Sequence, residues 1–231
     1  MEIYPGIEIR DLALFLPKER TLIISDLHLG FETTLHKKGV LIPRFYFTQL
    51  QERLKPLLTL PLAQVIINGD LKQEFGEITE QEWSEILQLL DFITDKVPKI
   101  IIIKGNHDVI LKPIADKRRI ELVDSYTLGD IYICHGDVLT KIKEKVIIIG
   151  HEHPAIRLEE GSKREMYKCF LKGTWKRKTL IVMPSFNLMK EGHNILEKNF
   201  LSPFLTKIDN FEVFVLGDEV YSFGKVKDIQ K

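Results

Sequence analysis

The chain has 231 residues, enough for one domain with a sizeable core, and its 44% hydrophobic content excludes a disordered chain. Its 33 basic residues balance 33 acidic ones, so no global field attracts nucleic acid or membranes. No apolar run reaches the roughly 18 residues of a membrane span, and the N-terminus lacks the pattern of a signal peptide. The only cysteines are Cys134 and Cys169, which favours a reducing, cytoplasmic compartment. We expect a single domain over residues 1–231, without membrane contact.

The hydrophobic pattern predicts strands and helices in alternation, followed by many strands. Residues 7–25 predict two or three short strands, and helical periodicity follows at 45–58 and 79–93. Thr79 and Glu82 have the spacing of a capping box, and the apolar stripe of the second helix predicts that its acids face water. Later strands are predicted at 99–103, 119–123, 131–134, 146–149, 166–171, 179–183, 211–216 and 219–223. This order favours an α/β fold with two stacked sheets and helices outside.

Five short motifs run along the chain in one order, and most of them directly follow a short apolar run. The motifs are Asp26-Leu27-His28, Gly69-Asp70, Gly105-Asn106-His107-Asp108, His135-Gly136-Asp137 and Gly150-His151-Glu152-His153. They contain five of the seven histidines of the chain. Open α/β sheets place their active sites just past the carboxyl ends of strands. The pattern therefore predicts that these polar side chains meet in one metal-dependent active site.

The residue types in these motifs are those that bind divalent metals. Asp and His are usual ligands for hard to borderline ions, and Asn adds a neutral oxygen. A carboxylate such as Asp70 is able to bridge two ions about 3.5–4 Å apart, which is the separation used in two-metal phosphate hydrolysis. The motif glycines let the backbone approach the ions closely. We expect two divalent ions, with Mn²⁺ the best candidate because no thiolate is present; Fe, Zn and Co remain alternatives.

The ordered motifs, which span residues 26–153, resemble those of the calcineurin-like metallophosphoesterase superfamily. The resemblance implies a four-layer sandwich of two mixed β-sheets flanked by helices. It also implies that His107 is not a ligand but the catalytic group that binds the phosphate and protonates the leaving oxygen. The implied ligands of one metal are Asp26, His28, Asp70 and His153, and those of the other are Asp70, Asn106, His135 and His151.

Finer features resemble one branch, the small prokaryotic phosphoesterases related to the SbcD nuclease subunit, including the DNA-ligase-associated phosphodiesterase. They are the Leu-His-Leu-Gly around His28, the segment Lys37-Lys38-Gly39-Val40-Leu41-Ile42-Pro43, the Gly-His-Glu-His-Pro ending at Pro154 and the segment Met183-Pro184-Ser185-Phe186-Asn187. Many relatives place Asp or His three residues after the bridging carboxylate, where it orients the catalytic histidine. Here it is Gln73, whose amide forms hydrogen bonds but carries no charge.

These observations favour a hydrolase of phosphate esters that acts through a metal-bridging hydroxide. Phosphodiesters are the expected substrates, with nucleic acid a candidate, because the only cations near the motifs are Lys72 and Lys104. A phosphomonoesterase or a nucleotide phosphodiesterase is an alternative, since the same metal pair serves all three. A non-catalytic scaffold on the same fold is a third reading, although such modules tend to lose ligands and all seven are present here.

Local charge suggests where a nucleic-acid strand would bind. Basic residues are in surplus between positions 141 and 178, which indicates either a solvated face or a surface that could hold a nucleic-acid strand beside the metals. Within it, Trp175 is either a base-stacking residue or the exposed tip of a hairpin. Residues 190–210 are the least regular part of the chain and predict a surface loop with a short helix.

Overall fold

The computed structural model describes residues 1–161 and 163–229, which form two β-sheets packed face to face. The first sheet has seven strands in chain order: β1 (Glu2–Tyr4), β2 (Ile7–Arg10), β3 (Ala13–Leu16), β4 (Thr21–Ser25), β5 (Gln64–Asn68), β6 (Ile100–Ile103) and β7 (Glu121–Val123). The strands from β1 to β4 are antiparallel neighbours, whereas those from β4 to β7 run parallel. This mixed sheet therefore collects the carboxyl ends of its parallel strands along one edge.

The second sheet is also mixed and has nine strands among the described residues. They are β8 (Ser125–Leu128), β9 (Ile131–Cys134), β10 (Val146–Ile149), β11 (Pro154–Glu160), β12 (Lys163–Trp175), β13 (Lys178–Val182), β14 (His193–Asn194), β15 (Glu212–Leu216) and β16 (Val220–Lys225). The main path is β14-β11-β12-β13-β10-β9-β8, and β15 pairs with β12 and β16. The strands β9, β10 and β13 run parallel, so their carboxyl ends also share one edge.

The helices are short, apart from two that flank the first sheet. They are α1 (Phe31–Lys37), α2 (Tyr46–Leu57), α3 (Glu80–Thr94), α4 (Lys112–Arg118) and α5 (Val226–Ile229). The predicted helices at 45–58 and 79–93 are confirmed as α2 and α3, and α3 begins with the predicted capping box. The sequence did not predict α1 and α4, because seven residues carry too little periodicity. In the described part of the chain, no helix has the length and apolar character needed to cross a membrane.

Strand alternation explains how the layers stack. Ile23 of β4 and Ile66 of β5 pack against Ile148 of β10 and Ile181 of β13 in the core between the sheets. The next residue, Ile24, points to the opposite face and packs in a second core with α2 and α3. Because these β-branched residues are buried on both faces, the central strands read as unbroken apolar runs in the sequence. The predicted four-layer α/β sandwich of two mixed sheets is confirmed.

The outer layer over the second sheet contains less helix than the first. Phe204, Leu205, Ile208 and Phe211, all from the predicted irregular segment and its end, pack against that sheet. The short helix expected within 190–210 is a 3-10 helix at Ile195–Glu197. Large apolar side chains from an irregular segment therefore cover the outer face of the second sheet, as helices cover the outer face of the first.

The prediction that the acids of α3 face water is wrong for two of them. Glu82 is fully buried and accepts hydrogen bonds from the backbone N–H groups of Gln73 (3.0 Å) and Glu74 (2.8 Å). Glu85 is also buried and accepts one from the N–H of Gly30 (3.2 Å). Buried carboxylates are tolerated when hydrogen bonds replace their lost hydration. These two acids therefore fix the loops that follow β4 and β5.

Candidate metal centre

The five motifs lie together because each follows the carboxyl end of a parallel strand. Those strands are β4, β5 and β6 in the first sheet and β9 and β10 in the second. Since the two sheets pack face to face, the two edges that carry the motifs meet. The structure thereby brings together all seven side chains expected as ligands, and it places His107 beside them.

One group of ligand atoms comes from Asp26, His28, Asp70 and His153. One atom from each of these side chains lies within 4.8 Å of the others. The Nε2 atom of His153 lies 3.3 Å from Oδ1 of Asp26 and 3.4 Å from Nε2 of His28. The Nε2 atom of His28 is 3.7 Å from Oδ2 of Asp70. The group therefore matches the first ligand set that the resemblance implied.

A second group contains Asp70, His135 and His151, with ligand atoms again within 4.8 Å of one another. The Nε2 atom of His135 lies 3.1 Å from Nδ1 of His151 and 3.4 Å from Oδ1 of Asp70. The Oδ1 atom of Asn106 lies 3.0 Å from the same Nε2 atom. Asp70 thus turns Oδ1 toward one group and Oδ2 toward the other, which is the arrangement of a bridging carboxylate.

The donor set fits two divalent cations. Ions of this kind lie about 2.0–2.2 Å from nitrogen and oxygen ligands, so the ligands of one ion lie roughly 3–4 Å apart, as these atoms do. Burial raises the pKa of Asp70 to about 9, aided by the negative charges of Asp26 and Asp108. Burial acts in the same direction on Asp26, but the imidazoles around it, above all His153, hold the pKa of Asp26 below its usual value. A cation in each group would compensate the buried carboxylates.

The backbone is strained at most of these residues. Five of the seven candidate ligands have a left-handed backbone, which non-glycine residues rarely adopt. They are Asp26, His28, Asp70, His151 and His153, with φ angles between 43° and 64°. Each such residue costs about 1–3 kcal/mol and persists only where the surroundings enforce it. The strain arises because every motif turns sharply after its strand to aim a side chain at the centre.

Two motif glycines leave the space that the ligands occupy. A Cβ atom on Gly69 would lie 2.0 Å from Nδ1 of His135, and one on Gly105 would lie 2.2 Å from Oδ1 of Asp70. Both distances are far inside van der Waals contact. Any larger residue at these positions would displace a candidate ligand, which explains the Gly-Asp and Gly-Asn-His-Asp motifs in terms of space.

Hydrogen bonds between motifs hold the carboxylates in place. The backbone N–H of His151 donates to Oδ2 of Asp26 (3.1 Å), and that of His107 donates to Oδ1 of Asp70 (3.0 Å). Glu152 is buried and accepts a hydrogen bond from Nδ1 of His193 (2.8 Å), so it points away from the centre as expected. The two sheets are therefore linked through the site itself.

The segment Met183–Asn187 supports the first motif from behind, a role that the sequence did not reveal. The hydroxyl of Ser185 donates to the carbonyl of Asp26 (2.6 Å), and the side-chain amide of Asn187 donates to the carbonyl of Leu27 (2.9 Å). The ammonium of Lys168 donates in turn to the carbonyl of Ser185 (2.7 Å). These bonds satisfy the backbone of a strained turn and fix its geometry.

His107 lies beside both ligand groups but is oriented by the backbone. Its Nδ1–H donates to the carbonyl oxygen of Gln73 (2.5 Å), while its Nε2 atom lies 3.7 Å from Oδ2 of Asp70. Asp108 does not orient this ring, because it accepts hydrogen bonds from the N–H groups of Leu71 (3.0 Å) and Gly105 (3.0 Å). Burial lowers the pKa of His107 to about 4, with the Gln73 carbonyl opposing the shift. The nitrogen that faces the centre is Nε2.

A lysine lies on the cavity beside the first ligand group, although the sequence placed none there. Burial lowers the pKa of Lys190 to about 8, with the charges of Asp26 and Asp70 opposing the shift, and its Nζ atom lies 5.3 Å from the centre of the Phe31 ring. Lys190 and His153 line a cavity of about 410 Å³. Sequence reasoning missed Lys190 because it lies in the irregular segment, where no periodicity indicates which way a side chain points.

The two lysines nearest the motifs in the sequence have other roles. The ammonium of Lys72 is buried and donates to the carbonyls of Glu74 and Glu77, the latter at 3.0 Å. Lys104 forms an ion pair with Asp124 (2.6 Å). These contacts engage both ammonium groups away from the ligand groups, whereas Lys190 lines the cavity beside His153.

The basic surplus between positions 141 and 178 does not lie beside the metals as a whole. Lys178 donates to the carbonyls of residues 143 (2.9 Å) and 144 (2.6 Å), just before β10, whereas His151 follows the other end of that strand. Trp175 ends β12 at the predicted hairpin, but it is half-buried, with its ring 4.9 Å from that of Phe204. Lys178 and Trp175 therefore lie at the amino ends of the parallel strands, whereas Lys168 of the same segment lies behind the first motif.

The chain matches one family model and is similar in fold to solved structures. A family model described as calcineurin-like phosphoesterase matches residues 19–221. Among solved structures, the nuclease MPE of Pseudomonas putida is 20% identical, with a TM-score of 0.66 and coverage of 92% of both chains. YfcE, a phosphoesterase from E. coli, is 16% identical, with a TM-score of 0.41 over 89% of this chain and 97% of that one. A comparison with curated proteins gave no match.

Proposed function

Because the chain belongs to the calcineurin-like phosphoesterase family, we propose that it is a two-metal phosphodiesterase. The observation that carries this proposal is the position of Asp70, whose two carboxylate oxygens face two separate groups of ligand atoms. When bound, two divalent ions would activate a water molecule and neutralise the phosphate oxygens as charge develops. The free, buried state of both cysteines supports a cytoplasmic location.

The proposed ligands fall into two sets that share Asp70. Asp26, His28 and His153 complete the first set, and Asn106, His135 and His151 complete the second. Oxygen and imidazole donors without thiolate favour Mn²⁺, with Fe, Zn and Co as alternatives. We expect metal analysis after reconstitution to give two ions per chain. A stoichiometry of zero would remove the site, and a stoichiometry of one would remove the bridging role of Asp70.

His107 is the proposed acid for the leaving oxygen. The Gln73 carbonyl accepts the Nδ1–H bond, so the ring presents Nε2 to the space beside Asp70. The negative charge of a bound phosphate would oppose the lowering of the His107 pKa and favour a proton on Nε2, and that proton would pass to the leaving oxygen as the P–O bond breaks. The side chain is half-buried, which limits exchange of that proton with bulk water.

Space beside both ligand groups favours diesters over monoesters. A cavity of about 540 Å³ adjoins His135, and one of about 410 Å³ adjoins His153 and Lys190. A phosphodiester carries two substituents, and these cavities offer room for the one that stays on the phosphorus while the leaving one lies toward His107. Because Lys190 lines the second cavity, the diester proposal rests on this space and not on a lack of cations. A phosphomonoesterase or nucleotide phosphodiesterase remains the alternative.

A panel of substrates tests the proposal directly. The panel contains bis(4-nitrophenyl) phosphate, 4-nitrophenyl phosphate, cyclic nucleotides and labelled single-stranded DNA, each with Mn²⁺, Zn²⁺, Co²⁺ and Fe²⁺, and an Asp70→Asn variant serves as the background control. We expect the fastest hydrolysis with the diesters. A clear preference for the monoester would overturn the diester assignment, and diester hydrolysis without DNA cleavage would remove nucleic acid. Two bound ions without hydrolysis of any substrate would favour the scaffold reading.

A further inference from the structure

Phe75 presents an exposed aromatic ring at the candidate acid. Its side chain is 60% exposed, which is unusual for phenylalanine. One face of the ring covers the His107 imidazole, with the ring centroids 3.6 Å apart and the planes 33° from parallel. Because that face is occupied by His107, the exposed area belongs to the opposite face and the edge. Among the described residues no second ring contacts Phe75, so a free aromatic face lies next to the proposed reaction centre.

The loop that carries Phe75 is braced on both sides. Glu82 accepts hydrogen bonds from the N–H groups of the two preceding residues, Gln73 (3.0 Å) and Glu74 (2.8 Å). Lys72 donates to the carbonyl of Glu77 (3.0 Å), whose own N–H donates to the carbonyl of Phe75 (2.9 Å). The exposure of Phe75 is therefore built into the fold, and a preorganised ring binds a partner at a lower entropic cost than a mobile one.

We propose that Phe75 is a specificity-determining residue that stacks on a nucleobase in the leaving group of the substrate. This inference rests on the proposed function, because His107 Nε2 faces the leaving oxygen only if His107 is the acid. The group attached to that oxygen then lies on the side of Phe75. A flat aromatic group gains most from a second aromatic face, whereas an alkyl chain or a sugar gains less. The substrates favoured are nucleotide diesters with a base on the leaving side.

A simpler role for Phe75 would be to shield His107 from water. Shielding requires an apolar side chain but not an aromatic one, so Phe75→Leu would preserve it. A variant that lost the shielding would show a lower kcat for every substrate. Stacking requires a flat ring. Phe75→Tyr and Phe75→Trp would preserve it, whereas Phe75→Leu would raise KM only for substrates that carry a base. The two roles therefore differ in both the variant and the kinetic constant affected.

The binding test uses the metal-loaded protein and a dinucleotide whose leaving oxygen is replaced by a methylene group. The same compound without the leaving-side base is the matched ligand, and Phe223→Ala, an exposed phenylalanine on β16, is the matched variant. Base–aromatic stacking contributes about 5- to 150-fold in affinity per base. We expect Phe75→Leu to lose affinity in that range for the dinucleotide and to keep it for the compound without the base. Phe75→Tyr and Phe223→Ala should bind as the unmodified protein does.

Equal losses with both compounds, or no loss with either, would overturn the proposal. Thermal unfolding of each variant confirms that the exposed substitution leaves the fold intact. Failure of the two proposals is distinguishable. Hydrolysis of aryl diesters together with base-independent binding would reject only the stacking role. Base binding that depends on Phe75, without hydrolysis of any diester, would reject only the catalytic role.

Discussion

The Nδ1 atom of His107 lies 2.5 Å from the main-chain carbonyl oxygen of Gln73. The residue that departs from the pattern of many relatives thus orients the imidazole with its backbone, which any residue type supplies. Among the residues that the structure describes, the side-chain Oε1 of Gln73 has no hydrogen-bond partner, so the side chain adds nothing to this contact. The tautomer that presents Nε2 to the centre is therefore independent of the side chain at position 73.

We expect Asp70→Asn to lose far more activity than Gln73→Ala. The carboxylate supplies charge to both ligand groups, whereas the Gln73 amide carries no charge. The loss of turnover for Asp70→Asn should exceed the roughly 10- to 100-fold typical of residues that only orient a ligand, and Gln73→Ala should stay below that range. Turnover is measured at saturating metal for both variants. Similar values would show that Asp70 does not bridge.

We expect His107→Ala to lower turnover by about 10²–10⁴-fold, which is the usual contribution of a general acid, while both metals stay bound. The defect should shrink with a nitrophenolate leaving group, because that group leaves without a proton. Steady-state rates on aryl and alkyl diesters give the comparison, and metal analysis of the same variant is the control. Loss of one ion would identify His107 as a ligand.

The carboxyl-end motifs were predictable because strand direction and apolar length fix where each side chain emerges. An apolar run such as Val146–Ile149 has to be buried, so His151 has to follow it at the edge of the sheet. The motif glycines were predictable for the same reason, since close approach requires a missing Cβ. Periodicity and motif order therefore led to both the fold and the candidate ligands.

Residues whose role depends on packing between distant segments could not be predicted in this way. Lys190 begins an irregular stretch, and its backbone N–H donates to Oδ1 of Asn187 (3.2 Å), which bonds the first motif from 160 residues away along the chain. Glu82 lies on the buried face of α3 in line with Ile86 and Ile93, and the loop before the helix brings backbone donors to it. Such contacts leave no local pattern in the sequence, because the tertiary fold determines which residue lies next to which.

We expect Lys190→Met to raise KM for a phosphodiester by about 10- to 150-fold, as a charge-assisted hydrogen bond to phosphate would be lost. Lys190→Arg should recover part of the affinity, because the charge remains. Lys104→Met is the matched control, since Lys104 pairs with Asp124 and should change KM little. The kinetics of an aryl diester report all three variants. An unchanged KM in Lys190→Met would show that this ammonium does not contact the substrate.

We expect Glu82→Ala to lower the free energy of unfolding by at least about 2 kcal/mol. The substitution leaves the backbone N–H groups of Gln73, Glu74 and Thr79 without their acceptor, and hydrogen bonds to a charged group contribute about 1.5–3 kcal/mol each. Glu80→Ala, an exposed acid in the same helical turn, should change stability by less than about 0.5 kcal/mol. Denaturant unfolding measures both variants. Equal stabilities would show that Glu82 does not brace the loop.

The pH dependence of the metal-free protein should change in Asp70→Asn. The pKa of the Asp70 carboxyl is 3.8 when unperturbed and about 9 in the folded chain, mainly through burial. Between these values the folded state binds the proton more tightly than the unfolded state, so this contribution to stability falls as pH rises. The free energy of unfolding, measured from pH 5 to 9 with a chelator present, should therefore decline more steeply for the natural chain than for Asp70→Asn. Saturating Mn²⁺ should remove this steeper decline in the natural chain, because the ions bind the ionised Asp70 carboxylate and replace the proton. Parallel profiles without metal would show that Asp70 is not the buried acid that the two ligand groups share.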